Sequence, residues 1–139
     1  MNFFDMMDVS ATGLSAQRRR METVSSNLAN ANTTRTPGGG PYRRLDVVFE
    51  AVPASSSFAD TLGAAVRQVR VAQVYEDQSP GRVSFEPGHP DADPQGYVTY
   101  PNVEPVVEMV NLLGAARSYE ANLTVIEATK ALMLRALEI

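Results

Sequence analysis

The chain has no cysteine, no tryptophan and a single histidine. Without thiols there are no disulfides, no thiolate chemistry and no Cys-based zinc site. One histidine, His89, leaves little scope for acid–base catalysis, and no serine sits in a nucleophile-elbow context. Aromatic residues make up only 7%, a composition better suited to helix–helix packing than to a large aromatic core. Basic residues are outnumbered, 12 to 16, so the net charge of −4 argues against binding a phosphate backbone. No apolar run approaches the ~18 residues that would span a bilayer. Asp5 and Asp8 stand where the basic region of a cleavable signal belongs, and no apolar core follows. If the protein leaves the cytoplasm, the expectation is a route without a cleaved signal.

What remains is a chain of 139 residues, 44% hydrophobic, which reads as three segments. In the first, from Phe3 to Asn32, the residues Met7, Leu14, Met21, Val24, Leu28 and Ala31 recur at heptad spacing on a helix, with Ser10 and Gln17 as polar faults. Gly13 weakens that helix by ~1 kcal/mol relative to Ala. Arg18, Arg19 and Arg20 point in three directions around it, which reads as solvation rather than a basic stripe. The stretch SSNLANANTTRTPGGGP then ends the helix: two β-branched threonines are followed by Pro37 and Pro41 around three glycines.

The middle segment, residues 33–101, is rich in proline and alternates short β-like runs with turns. The runs are RRLDVVFEAV, AAVRQVRVAQVYED, GRVSFEP and GYVTYP. In the second, Val69, Val71 and Gln73 alternate imperfectly with Arg70, Ala72 and Val74. A flexible loop is expected near 51–64. The last segment, 102–139, is a helix with Asn102 as the expected N-cap and Pro105 in its first turn. Its seam is Leu112, Ala116, Tyr119, Leu123, Ile126, Met133 and Leu137, with Lys130 in the missing place. Val106, Val107, Val110, Leu113, Val125, Leu132 and Leu134 lie off that seam.

These helices are long for their chain. At 1.5 Å per residue they reach ~45 and ~54 Å, against a diameter of roughly 37 Å for a compact globule of this size. A two-helix hairpin cannot bury every apolar residue of the second helix, and an apolar stripe left in water marks an interaction surface. The reading is an α+β fold: long terminal helices packing as a coiled-coil-like inner domain (1–32 with 102–139), and a small, mostly β insertion (33–101).

The chemistry-bearing candidates are few. His89, Asp91 and Asp93 in PGHPDADPQGY approximate a calcium loop, but Pro94 interrupts the ligand ladder and Asn102 stands where the bidentate Glu belongs. The plainer reading is a Pro/Asp/Gly turn ahead of YVTY. Gly38–Gly40 lacks the Lys-Ser/Thr of a phosphate loop. Asn122-Leu123-Thr124 matches a glycosylation sequon inside a helix and is taken as chance. No catalytic, cofactor-binding or metal-binding residue is assigned, and the protein is not expected to be an enzyme.

Two stretches, SSNLANANTTRTPGGGPYRR and NVEPVVEMVNLLGAARSYEANLTVIEATKALMLRALEI, resemble the bacterial flagellar axial proteins of rod and hook. PGHPDADPQGYVTYPNVEPVVEMVNL and the chain length are most similar to the members of the proximal rod. The resemblance covers about two-thirds of the chain; residues 51–64 match nothing. It implies a structural subunit of the periplasmic rod of the basal body, exported unfolded through the flagellar type III apparatus, which transmits torque and lines a narrow channel. The implied partners are copies of itself, other rod proteins and the ring and adaptor proteins at the rod base, with neither nucleic acid nor a membrane span. The assembly residues would be Leu14, Met21, Val24, Asn27, Leu28, Asn30 and Ala31 on the first helix. On the second they would be the seam Leu112, Ala116, Tyr119, Leu123, Ile126, Met133 and Leu137. Asn27 and Asn30 would fix helix register through hydrogen bonds, or else fray the helix into its Thr-rich end. The rival class is a cytosolic adaptor, a closed coiled-coil dimer with a small β binding domain.

Overall fold

The computed structural model describes residues 3–53 and 66–138. Helix α1 spans Phe3–Ala29 and helix α2 spans Pro105–Leu137. Between them come β1 (Leu45–Pro53), β2 (Arg67–Glu76), β3 (Val83–Phe85) and β4 (Tyr97–Thr99). This is an α+β arrangement of two helices and two small antiparallel sheets, β1–β2 and β3–β4. The loop expected at 51–64 lies outside the described residues from position 54 on; 51–53 close β1.

The helices run antiparallel. Asn27 near the end of α1 meets Glu108 at the start of α2, and Gly13 sits against Asn122. The β1–β2 ribbon lies along another side of α1. There the Val69 N–H donates to Thr12 Oγ1 at 3.3 Å, and the Arg20 guanidinium covers the Phe49 ring at 4.1 Å. So α1 is covered by both the ribbon and α2.

The imperfect alternation of β2 has a concrete cause. Val48 pairs with Gln73 but Phe49 pairs with Val71, so Ala72 is an extra residue in a β-bulge. Past the bulge the faces exchange. Val74 therefore turns inward with Val69 and Val71, while Gln73 is exposed. Buried Val47 anchors the ribbon's inner face. In the second hairpin Val98 is buried, and the approach to β4 turns on Gly96, whose φ of 87° suits a residue without Cβ.

Two helix ends differ from expectation. α1 stops at Ala29, where Asn30 folds its side-chain amide back onto the Ser26 carbonyl at 2.9 Å. Asn102 is not the N-cap of α2. That place belongs to Glu104, which makes no side-chain capping bond. Asn102 instead ties three strands of chain together: its Oδ1 accepts the Arg44 N–H at 2.8 Å, and its amide donates to the carbonyls of Asp77 (3.1 Å) and Ser79 (3.3 Å). The side chain is consumed by this long-range crosslink, and Pro105 has no N–H to need capping.

Candidate assembly interface

The contact between the helices is built on polar and small residues. On α2 the buried positions are Glu108, Ala115 and Thr129, with half-buried Asn122 completing a strict seven-residue repeat. On α1, which the ribbon covers as well, the buried positions are Ser10, Ala16, Thr23, Val24 and Asn27; Asn27 meets α2, while Ala16 lines the cleft against β2. Small side chains let the two backbones approach closely. A Cβ on Gly13 would come within 3.0 Å of the Asn122 amide.

The end of this contact nearest the sheets is a saturated polar junction. Asn27 has no exposed surface. Its amide donates to the Leu45 carbonyl and to Glu108 Oε2, both at 2.8 Å, while its Oδ1 accepts the Leu45 N–H at 2.9 Å and the Tyr42 hydroxyl at 3.0 Å. Glu108, equally buried, also receives Arg44 Nε at 2.9 Å and the Asn111 amide at 3.3 Å. Arg44 continues to Asp46 at 2.9 Å. Burial alone would lower the pKa of its guanidinium, but the hydrogen bonds and charges of Asp46 and Glu108 outweigh that and raise it. A buried carboxylate of this kind is tolerable only because a charge partner and several donors meet it. The junction locks α1, the start of β1 and the start of α2 in one register.

Much of the α2 surface that faces away from α1 is apolar and bare, most densely at its N-terminal end, with Arg117, Glu120 and Glu127 interrupting it farther along. Val106 is 65% exposed, Val110 63% and Leu113 60%; Val107, Met109, Val125, Leu132, Leu134 and Leu137 are exposed as well. An α-helix with this many exposed apolar side chains on several sides needs more cover than one hairpin partner supplies. Among the described residues no helix is long and apolar enough to cross a membrane.

The residues expected at the assembly surface fall into three groups. Val24, Asn27 and Ala31 are buried within the chain. Leu14, Met21, Leu28, Asn30, Leu112, Ala116, Tyr119, Ile126 and Met133 are half-buried, while Leu123 and Leu137 are exposed. Asn27 spends all its hydrogen bonds inside the chain, one of them across to α2, and Asn30 serves the local helix end, where it also accepts the Thr33 hydroxyl at 3.1 Å. The residues most deeply buried between the helices, Glu108, Ala115 and Thr129, were not anticipated. Their signal was a heptad of polar and small residues, invisible to a search for apolar period. Gln17, a polar fault of the α1 seam, has a buried Oε1 with no hydrogen-bond partner among the described residues.

The His89 turn is knitted by its own side chains. His89 Nδ1 accepts the Asp91 N–H at 3.1 Å, and Asp91 takes the Thr34 hydroxyl at 2.8 Å and Arg35 at 3.6 Å. Asp93 Oδ1 accepts the N–H groups of Gln95 (2.9 Å) and Tyr97 (2.8 Å). All three polar side chains are thereby committed to loop structure.

Two family models match the ends that form the helices. Residues 7–35 match "Flagella basal body rod protein", and residues 95–139 match "Flagellar basal body rod FlgEFG protein C-terminal". Full-length relatives settle the matter. A flagellar basal-body rod protein FlgC of Borreliella burgdorferi is 43% identical over 150 aligned positions, which cover 100% of this chain and 98% of that protein. The FlgC proteins of Yersinia enterocolitica (44%; 99% and 97% covered) and Bacillus subtilis (43%; 100% and 99% covered) match likewise. The chain belongs to the FlgC family of flagellar basal-body rod proteins. As a FlgC-family member it is a structural rod subunit and not an enzyme.

Proposed function

We propose that this FlgC-family chain is a subunit of the proximal rod that polymerises through α1 and α2. Residues 1–32 and 102–139 form an inner helical domain, packed in coiled-coil fashion against neighbouring copies and other rod proteins. Residues 33–101 form an outer β-rich domain. The inner domains line the export channel, and the assembled rod carries torque from the ring and adaptor proteins at its base. The subunit reaches the periplasm unfolded, through the flagellar type III apparatus, without a cleaved signal. One observation carries this reading: α2 leaves a dense group of apolar side chains in water, Val106, Val107, Val110 and Leu113 among them, on the sides that α1 does not cover. A closed dimeric adaptor would have to cover that face by two-fold pairing, whereas a rod needs heterologous contacts that do not close.

Motility tests it directly. In a strain lacking its own copy, the wild-type chain restores swimming and is recovered in purified basal bodies. Dilute purified chain remains monomeric. A stable dimer in solution together with absence from basal bodies would favour the adaptor.

A further inference from the structure

α1 and α2 each carry an unbroken exposed stripe at heptad spacing, on the side away from the other helix. On α1 it runs through positions 4, 8, 11, 15, 18, 22, 25 and 29, and every one is exposed. On α2 it runs through 106, 110, 113, 117, 120, 124, 127, 131, 134 and 138, again every one exposed. The two stripes therefore lie on opposite sides of the hairpin. Copies set side by side in one orientation would bring the back of one α2 against the back of the next α1, antiparallel, in a contact that repeats without closing.

The charges on the stripes choose the register. In one alignment Arg18 meets Glu120, Glu22 meets Arg117, and Ser15 meets Thr124 between less polar ends where Phe4 meets Leu134 and Ala29 meets Val110. A half-heptad shift one way sets Arg18 against Arg117 and Asp8 against Glu127; the other way it sets Glu22 against Glu120. Full heptad shifts place Arg18 and Glu22 on Leu113 and Val110, or Asp8 on Glu138. Only the first alignment pairs unlike charges twice and like charges nowhere. Like charges juxtaposed across an interface select strongly against the wrong register. Glu22 also holds Arg19 of its own chain at 3.3 Å, which leaves its second oxygen for a neighbour.

We infer that the face of α2 is covered by the α1 stripe of a second copy of this chain, in the register that joins Arg18 to Glu120 and Glu22 to Arg117. Within one copy Asn27 stands level with Glu108 and Gly13 with Asn122. Between copies the partners are displaced by three to four residues, so successive subunits step along the helix axis by about 5 Å, roughly one turn. The inference rests on the rod-subunit reading and adds to it the neighbour, the face and the register.

Because the chain has no cysteine, disulfide trapping is clean. The full-length double variant Ser15→Cys, Thr124→Cys should form a ladder of multimers of the 15.1 kDa chain on oxidation of purified basal bodies. The pair Ser15→Cys, Glu120→Cys, which reports the half-heptad register, should not. Arg18→Glu alone and Glu120→Arg alone should each lower incorporation about tenfold, the equivalent of ~1.4 kcal/mol, and the double reversal should restore it to within about twofold. If the chain is present in basal bodies but the first pair gives no ladder, or both pairs crosslink equally, or the double reversal fails to rescue, the register is wrong while the rod reading stands. If wild-type chain never enters basal bodies, the rod reading falls and the register with it.

Discussion

The two helices are of similar length and come from the two ends of the chain, yet they are built to different specifications. α1 has a polar back, with Asp8, Ser15, Arg18 and Glu22 in water, and it is covered on two sides, by α2 and by the β1–β2 ribbon. α2 has an apolar N-terminal back, Val106, Val110 and Leu113, and among the described helices and strands α1 is the one packed along it. The difference separates two tasks. The inner faces, polar and small, position the subunit's own helices. The outer face of α2, apolar at Val106, Val110 and Leu113 and unmatched within the chain, is the one that the proposed assembly would bury.

The comparison breaks most sharply where the helices meet. Glu108→Ala leaves Arg44 and Asn27 without their shared acceptor and should destabilise the full chain by ~3–5 kcal/mol, as loss of one partner of a buried pair does. Urea unfolding measures it, and a loss under ~1 kcal/mol would show that the junction does not hold the hairpin.

Leu113→Asp tests the other side of the comparison. Leu113 is exposed in the single chain, so the stability of the isolated subunit should change by no more than ~0.5 kcal/mol. Assembly should fail, because a charge would then be buried unpaired against the neighbour. Normal swimming of the complemented strain would mean that this face stays in water.

A smaller effect sharpens the account of the inner face. Gly13→Ala gains helix propensity but crowds Asn122, and a net loss of about 1 kcal/mol is expected. In an Asn122→Ala background the same substitution should instead stabilise, so a double-mutant cycle by thermal melting isolates the contact.

The smallest expected effect leaves both helices alone. In the β3–β4 hairpin the Tyr100 hydroxyl donates to Glu86 at 2.9 Å; this bond holds the Glu86 carboxyl below its ordinary pKa and raises that of the Tyr100 phenol. The depressed carboxyl contributes stability above the ordinary carboxylate range, lost as pH falls through its folded value. The raised phenol contributes stability below the ordinary tyrosine range, lost as pH rises through its folded value. Tyr100→Phe should therefore move the Glu86 titration upward in NMR and flatten both edges of the hairpin's pH profile, with helical circular dichroism unchanged.

Much of this was legible in the residues. The break after α1 follows from Thr33, Thr34, Pro37 and the glycines, and the β runs of the middle segment all became strands. The apolar surplus of α2 is present in the structure as exposed side chains, Val106, Val110 and Leu113 among them. The seam of α2 was read less well. Its apolar residues occur on every side, so period alone could not say which side faces α1. Asn102 was misread for a similar reason: its position near Pro105 suits a cap, but two distant chain segments, at Arg44 and at Asp77–Ser79, hold the same side chain.

By itself, then, the sequence determined where helix gives way to strand, that α2 has more apolar surface than one partner helix covers, and which family the ends belong to. Local propensity, proline and glycine stops, and composition decide those matters, and all are properties of neighbouring residues. Only the tertiary structure decided which face of α2 turns toward α1. That choice depends on Glu108, whose burial is affordable only where Arg44 and Asn27, 64 and 81 residues away along the chain, arrive together to meet its charge.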